Sequence, residues 1–301
     1  MNKTTILIDK HGRVRSGWRA GVFIFSFVFA AIILGIMGQL ILRAVGIDAL
    51  PGSPLFLATN GVLSLTPAIV LGWLCGKYFE NLPFRALGAS FTSGWLRHFL
   101  VGCLVGAATL GVAVAIAYFF GGLRFQFDAA PTADIVRSLA ASFVVFALAA
   151  AFEEALCRGY FLQTFSRSGL AWLGIVITSL VFGLGHLGNT DANLISTINT
   201  VLAGIWFSVA YFKTRDLWFA WGMHLMWNWM QGSFFGIEVS GIKSIAAFPL
   251  FKEIDTGPQW LTGTTYGVEG GIVCTVALIV STIAIYYLPI KSEPPALAGG
   301  S

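Results

Sequence analysis

Three short polar signatures interrupt an otherwise apolar chain. Residues 151–158 read Ala-Phe-Glu153-Glu154-Ala-Leu-Cys157-Arg158, residues 182–186 read Phe182-Gly-Leu-Gly-His186, and residues 224–228 read His224-Leu-Met-Trp227-Asn228. Two of the four histidines in the chain lie here. A charge at the centre of a bilayer costs at least about 2.5–3.5 kcal/mol on insertion scales, so an ionisable residue inside a span needs a partner or a function. Glu154 and Arg158 are one helical turn apart and can neutralise each other, which predicts a supporting ion pair. Glu153 sits about 100° further round the helix and has no polar residue one turn away in either direction. Its partner must come from another helix or a water-filled cavity. The candidates are His186 and the pair His224 and Asn228, which share one face.

A carboxylate in a low-dielectric pocket suits a general base acting on water, because burial disfavours its charged form. His186 beside it can hold the same water and share the proton. His224 and Asn228 can donate hydrogen bonds to the oxyanion of a tetrahedral intermediate. That inventory fits hydrolysis of a peptide bond, with Glu153, His186, His224 and Asn228 as candidate catalytic residues. A zinc site made of Glu153, His186 and His224 is the alternative, since two histidines and a carboxylate form a hydrolytic ligand set. The sequence alone does not separate a metal-bound water from one held by glutamate and histidine. Neither G-x-S-x-G nor H-E-x-x-H occurs, so serine-hydrolase and zincin chemistry lack their local signatures. Gly183, Gly185 and Gly188 match the G-x-G-x-x-G string of dinucleotide folds, but they end a membrane helix rather than follow a strand, and are read as glycines thinning the helix around His186.

The elements that must position these residues are membrane helices. Only 11% of the 301 residues are charged, against about 25% in soluble domains. Apolar stretches predict an all-α polytopic protein of about eight spans, over 18–42, 55–76, 96–120, 135–163, 169–187, 193–212, 216–233 and 270–288, with the site among the fourth, fifth and seventh. Residues 1–17 are expected as an N-terminal segment, 18–290 as one transmembrane domain with its core at about 135–235, and 291–301 as a disordered tail. Lys10, Arg13, Arg15, Arg19, Lys77, Arg85, Arg97, Arg158, Arg167, Lys213 and Arg215 fall in or beside loops on one side, which predicts cytoplasmic termini by the positive-inside tendency. The first apolar run is too long for a signal peptide. The opposite-side stretch from Gly236 to Glu269 is read as a cap or loop. Trp18, Trp95, Trp172 and Trp218 sit near span starts as interfacial anchors do. Cys75, Cys103, Cys157 and Cys274 are single and read as packing residues. Ser196, Thr200, Gly204 and Ser208 form a small-residue stripe for close helix approach.

In their order on successive helices, E-E-x-x-x-R, F-x-x-x-H and H-x-x-x-N resemble the CPBP family, which includes the type II CAAX prenyl proteases and bacterial proteins linked to bacteriocin maturation or self-immunity. The resemblance covers about residues 150–230. It implies that Glu153 is the catalytic carboxylate, that His186 helps it activate water, that His224 and Asn228 stabilise the oxyanion, and that Glu154 and Arg158 support the site. It also implies an intramembrane endopeptidase of the glutamate type or with a metal. The expected partners are the lipid bilayer and a membrane-associated or lipidated peptide or protein, and the expected location is a bacterial plasma membrane. Trp206, Trp221, Trp227 and Trp229 are candidates for lining a substrate groove or for ordinary packing. The small net charge of +4, with basic residues confined to short loops, excludes a nucleic-acid partner. A proton-coupled transporter and a non-catalytic scaffold are the rival readings. The first lacks the repeated halves common in carriers, and the second predicts that Glu153 serves folding alone. One tension follows from the helical rise: His186 falls about 24 Å along its span and Glu153 about 15 Å from the end of its own. A tilted helix, an interfacial stretch over 160–172 or a shifted boundary would bring them level.

Overall fold

The computed structural model describes residues 5–9, 12–242 and 245–292. Helices α1 (Ser16–Ala44), α2 (Pro54–Glu80), α3 (Trp95–Phe120), α4 (Thr132–Glu154) and α5 (Leu162–Ser166) are followed by α6 (Ala171–Gly185), α7 (Leu194–Thr214), α8 (Leu217–Trp229), the short α9 (Gln259–Thr262) and α10 (Ile272–Tyr287). The chain is a polytopic all-α membrane protein. Among the described residues five helical segments are long and apolar enough to cross a bilayer, the fourth running from Thr132 to Ser166 through α4 and α5. The other three expected spans are shorter, with 15 residues in α6, 13 in α8 and 16 in α10. The expectation of about eight crossings therefore holds in the order of the elements, whereas three of them fall short of the ~20 residues a single unaided span requires. For α8 the reason is its position. Nine of its residues are buried, so it meets protein rather than lipid. On α1, α3 and α10, by contrast, Phe25, Phe29, Phe119 and Ile283 are mostly exposed, as lipid-facing residues must be.

Local chemistry sets the helix ends. The Ser53 hydroxyl accepts from the Phe56 N–H at the start of α2, just before Pro54. Asn193 and Ser196 form a reciprocal capping box on α7. Asp216 caps α8 by accepting from Trp218 and Phe219. Between helices, glycines permit close approach. A methyl on Gly102 of α3 would stand 2.2 Å from the Phe219 carbonyl of α8, and one on Gly222 of α8 would stand 2.3 Å from the Phe99 carbonyl. Gly204 of the α7 stripe faces the Ser179 backbone of α6 in the same way, at 2.7 Å. Thr200 of that stripe departs from a pure packing role, because it reaches an internal cavity.

One region departs from an all-helical chain. Leu123–Phe127 (β1) pairs antiparallel with Phe251–Asp255 (β2), with Phe125 opposite Glu253. This ribbon and the segment around it cap one end of the bundle, where the sequence predicts a cap or loop. The opposite end gathers the start of α1, the end of α2 and the end of α5 around a buried ion cluster. There Glu80 meets Arg19 at 2.7 Å and Arg167 at 2.9 Å. His98 joins Asp216 and the Lys291 carbonyl at the same end. The expected tail from 293 onward and Lys10 lie outside the described residues.

Candidate active site

Two helices carry the central residues, and both change pitch beside them. α4 ends at Glu154 and continues as a π-helical stretch over Ala155–Phe161, kinked at Gly159 (ψ −119°). α8 ends at Trp229 and continues as a π-helical stretch over Met230–Phe234. Such widened turns are uncommon and concentrate at functional sites. Glu154 and Arg158 are fully buried, and their side chains meet at 3.1 Å. The Arg158 guanidinium also donates to the Gly204 carbonyl at 2.8 Å and lies between the rings of Phe182, at 4.9 Å, and Phe207, at 5.0 Å. A buried cation so surrounded is held by a carboxylate, a carbonyl and two π faces.

Glu154 has a second task. Its Oε1 accepts from His224 Nδ1 at 2.9 Å, and the His224 ring stacks on Phe207 with centroids 4.5 Å apart and planes 22° from parallel. The imidazole is thereby fixed in orientation, with the Nδ1 proton committed to Glu154 and Nε2 turned toward Glu153, 3.6 Å from its Oε2. That Glu153 oxygen is buried and has no hydrogen-bond partner. His186, at the C-terminal end of α6, donates from Nδ1 to the Phe182 carbonyl at 2.8 Å. A carbonyl only accepts, so the proton sits on Nδ1 and the bare Nε2 is left as an acceptor when the ring is neutral. Phe182 links these parts, since its ring contacts Arg158, His186 and His224.

Glu153, His186, His224 and Asn228 all line one cavity of about 260 Å³. The structure thus brings the four sequence-predicted residues to a common wall, with Glu154 and Arg158 directly behind it. Among the described residues no group of three His, Cys, Asp or Glu side chains is arranged to hold a metal ion. The depth tension resolves through a shifted boundary. The helix that carries Glu153 runs on to Ser166, so Glu153 lies ~20 Å from that end, and His186 lies ~22 Å from the start of α6 at Ala171.

Asn189, Asn199, Ser240 and Glu269 are among the further polar residues that line the cavity. Glu269 accepts from the Trp227 indole at 2.9 Å and from the Ser240 N–H and hydroxyl at 2.7 and 2.6 Å. Asn199 donates to the Glu269 and Gly271 carbonyls and accepts from Thr275. The sequence signal for Glu269 is a lone carboxylate at the foot of an apolar span, and for Asn199 an amide inside one. Trp206 and Trp227 line the cavity, whereas the indoles of Trp221 and Trp229 donate to carbonyls of α4 and act as packing residues.

Residues 135–230 match the family model described as type II CAAX prenyl endopeptidase Rce1-like. A bundle of apolar helices around a buried glutamate and histidine site, with that match across it, defines an intramembrane protease of the CAAX type. Over this segment, about a third of its length, the chain is similar to the CAAX-protease (CPBP) family. The matched residues include every member of the three signatures and leave Ser240 and Glu269 outside. No curated protein matches the chain.

Proposed function

We propose that this protein is a glutamate-dependent intramembrane endopeptidase that hydrolyses a peptide bond in a membrane-associated peptide or protein. The observation that supports this reading best is the Glu153 carboxylate. Its Oε2 is buried without a hydrogen-bond partner, on the wall of a cavity shared with His186, His224 and Asn228. An unpaired carboxylate oxygen in such a place has capacity to take a proton.

In the proposed mechanism a water rests between Glu153 and the bare Nε2 of His186. Glu153 takes its proton as the oxygen attacks the peptide carbonyl carbon. The oxyanion so formed receives hydrogen bonds from the Asn228 amide and from His224 Nε2. Because Nδ1 of His224 is committed to Glu154, Nε2 donates only when the ring carries both protons. Collapse of the intermediate breaks the C–N bond, and Glu153 returns its proton to the leaving amine, giving a carboxylate and an amine. Arg158 keeps Glu154 in place and so orients His224. The test is cleavage of a quenched, acyl-anchored peptide library by purified protein in detergent, compared with Glu153→Ala and with added chelator. Turnover lost in the variant and kept with chelator supports the glutamate mechanism. Turnover lost with chelator points to a metal. A folded wild-type protein without turnover favours the scaffold or transporter readings.

A further inference from the structure

The cavity is not placed symmetrically in the bundle. Its wall residues come from the N-terminal halves of α2, α7 and α10, which contribute Asn60, Asn199 and Cys274, and from the stretch of α4 between Val145 and Glu153. α2, α7 and α10 each start at the end capped by the β1–β2 ribbon, so those N-terminal halves lie toward that end, whereas the α4 stretch lies midway along the helix that runs from Thr132 to Ser166. Ser240 and Glu269, from the segment between α8 and α10, close the cavity over the top. Toward the opposite end there is no continuation. Ala155 and Tyr160 are 1% exposed and Glu154, Arg158 and Leu162 are 0% exposed, and beyond them lies the packed Arg19, Glu80 and Arg167 cluster.

The two ends also differ in charge. The blind end carries Arg13, Arg15, Arg19, Lys77, Arg85, Arg97, Arg167, Lys213, Arg215 and Lys291, against Asp9, Glu80 and Asp216. The capped end carries Asp48, Asp128, Asp134, Asp191, Glu238, Glu253, Asp255 and Glu269, with only Arg43, Arg124, Arg137 and Lys252 among its described basic residues. Basic loops remain on the cytoplasmic side of a membrane, whereas acidic residues contribute little to orientation. The blind end is then cytoplasmic, and the cavity faces the other way.

We infer that the substrate of this site is a membrane-tethered peptide whose scissile bond lies on the extracytoplasmic side, reached beneath the segment that bears Ser240 and Glu269. This rests on the endopeptidase reading above. A substrate peptide of this kind is anchored in or translocated to the outer leaflet, and a polypeptide confined to the cytoplasm does not reach Glu153.

Two measurements on the full chain test the inference. Cysteines placed by Asp48→Cys at the capped end and Arg215→Cys at the blind end, both exposed positions, are treated with a membrane-impermeant maleimide in spheroplasts of the expression host. Labelling of the first and protection of the second is expected. An acyl-anchored, internally quenched peptide library is then added from outside to right-side-out and to inside-out membrane vesicles, with Glu153→Gln as background. Cleavage is expected to be at least about tenfold faster in right-side-out vesicles, because a polar peptide crosses hydrocarbon slowly. Reversed labelling, or equal or faster cleavage in inside-out vesicles, overturns the inference and leaves the peptidase reading standing. Absence of cleavage at either face and in detergent overturns the peptidase reading, and the inference with it.

Discussion

Two carboxylates at different depths of the same bundle, one buried and one half-buried, meet opposite fates. Glu80, at the end of α2, has both oxygens occupied. Oε1 takes Arg19 at 2.7 Å and Arg167 at 3.0 Å, and Oε2 takes Arg167 at 2.9 Å and the Thr164 hydroxyl at 3.2 Å. Glu153 leaves Oε2 without a hydrogen bond, beside a histidine and an open cavity. Both are carboxylates inside an apolar bundle near basic or imidazole nitrogens. What separates them is surplus bonding capacity and room for a reactant. The first joins helices α1, α2 and α5, whereas the second remains available to water.

Amide replacement at each position breaks this comparison open. Glu153→Gln keeps shape and removes the base, so turnover should fall about a thousandfold, within the range of about 10²–10⁴ for positioned general bases, while the melting temperature in detergent stays near wild type. Glu80→Gln should do the reverse. It leaves Arg19 with a neutral partner, and removing one member of a buried pair destabilises by about 3–5 kcal/mol. The protein that remains folded should keep its turnover per molecule. Equal losses of activity at both positions would erase the distinction between a structural and a chemical carboxylate.

The comparison sharpens within the site. Asn228 lines the cavity, and as the oxyanion donor of the proposed mechanism it sets a clear expectation: Asn228→Ala should lower kcat by about 10²–10³, the loss seen when one oxyanion donor is removed, with KM nearly unchanged. Glu269 is the intermediate case, because it lines the cavity but its oxygens are taken by Trp227 and Ser240. Glu269→Ala strands those donors at about 1–3 kcal/mol for each buried one. Thermal stability should drop together with turnover, and the tryptophan emission should shift as the Trp227 indole loses its acceptor.

Most of this arrangement was legible in the sequence, for physical reasons. The span limits are long apolar runs, and the structure places α1, α2, α3 and α7 within a few residues of them. An i,i+4 relation on a helix is a geometric fact, so the contact of Glu154 with Arg158 is fixed by spacing alone. Spacing cannot state which nitrogen of His224 faces Glu154, nor that Glu154 rather than Glu153 takes the short contact. Those depend on how α8 is rotated in the bundle, which its close packing on α3 at Gly102, Gly106 and Gly222 sets. The ribbon escaped notice because Leu123–Phe127 is only five residues long and its alternation is too brief to stand out beside 20-residue spans. α6, α8 and α10 fall where spans are expected, but their shortness was not legible, because apolar composition does not distinguish a residue that faces lipid from one buried against protein.

The smallest expected effect comes from a third carboxylate, Glu253 on β2, outside the membrane helices. Burial, then the hydrogen-bonded Glu238 carboxyl and the charges of Glu238 and Asp255, push its pKa from 4.5 up to about 9. Unlike Glu80 it meets no cation there, and unlike Glu153 it lines no part of the main cavity. Between those two pH values the folded chain holds a proton that the unfolded chain has released, so stability falls as pH rises toward 9. Glu253→Gln presents a neutral donor at every pH and should flatten that slope, with the melting temperature of the variant exceeding that of wild type on the alkaline side. A pH series of melting curves for the two proteins reads this directly. Parallel curves would mean that Glu238 and Glu253 separate in solution, and that the cap over the cavity is held by β1 and Glu269 alone.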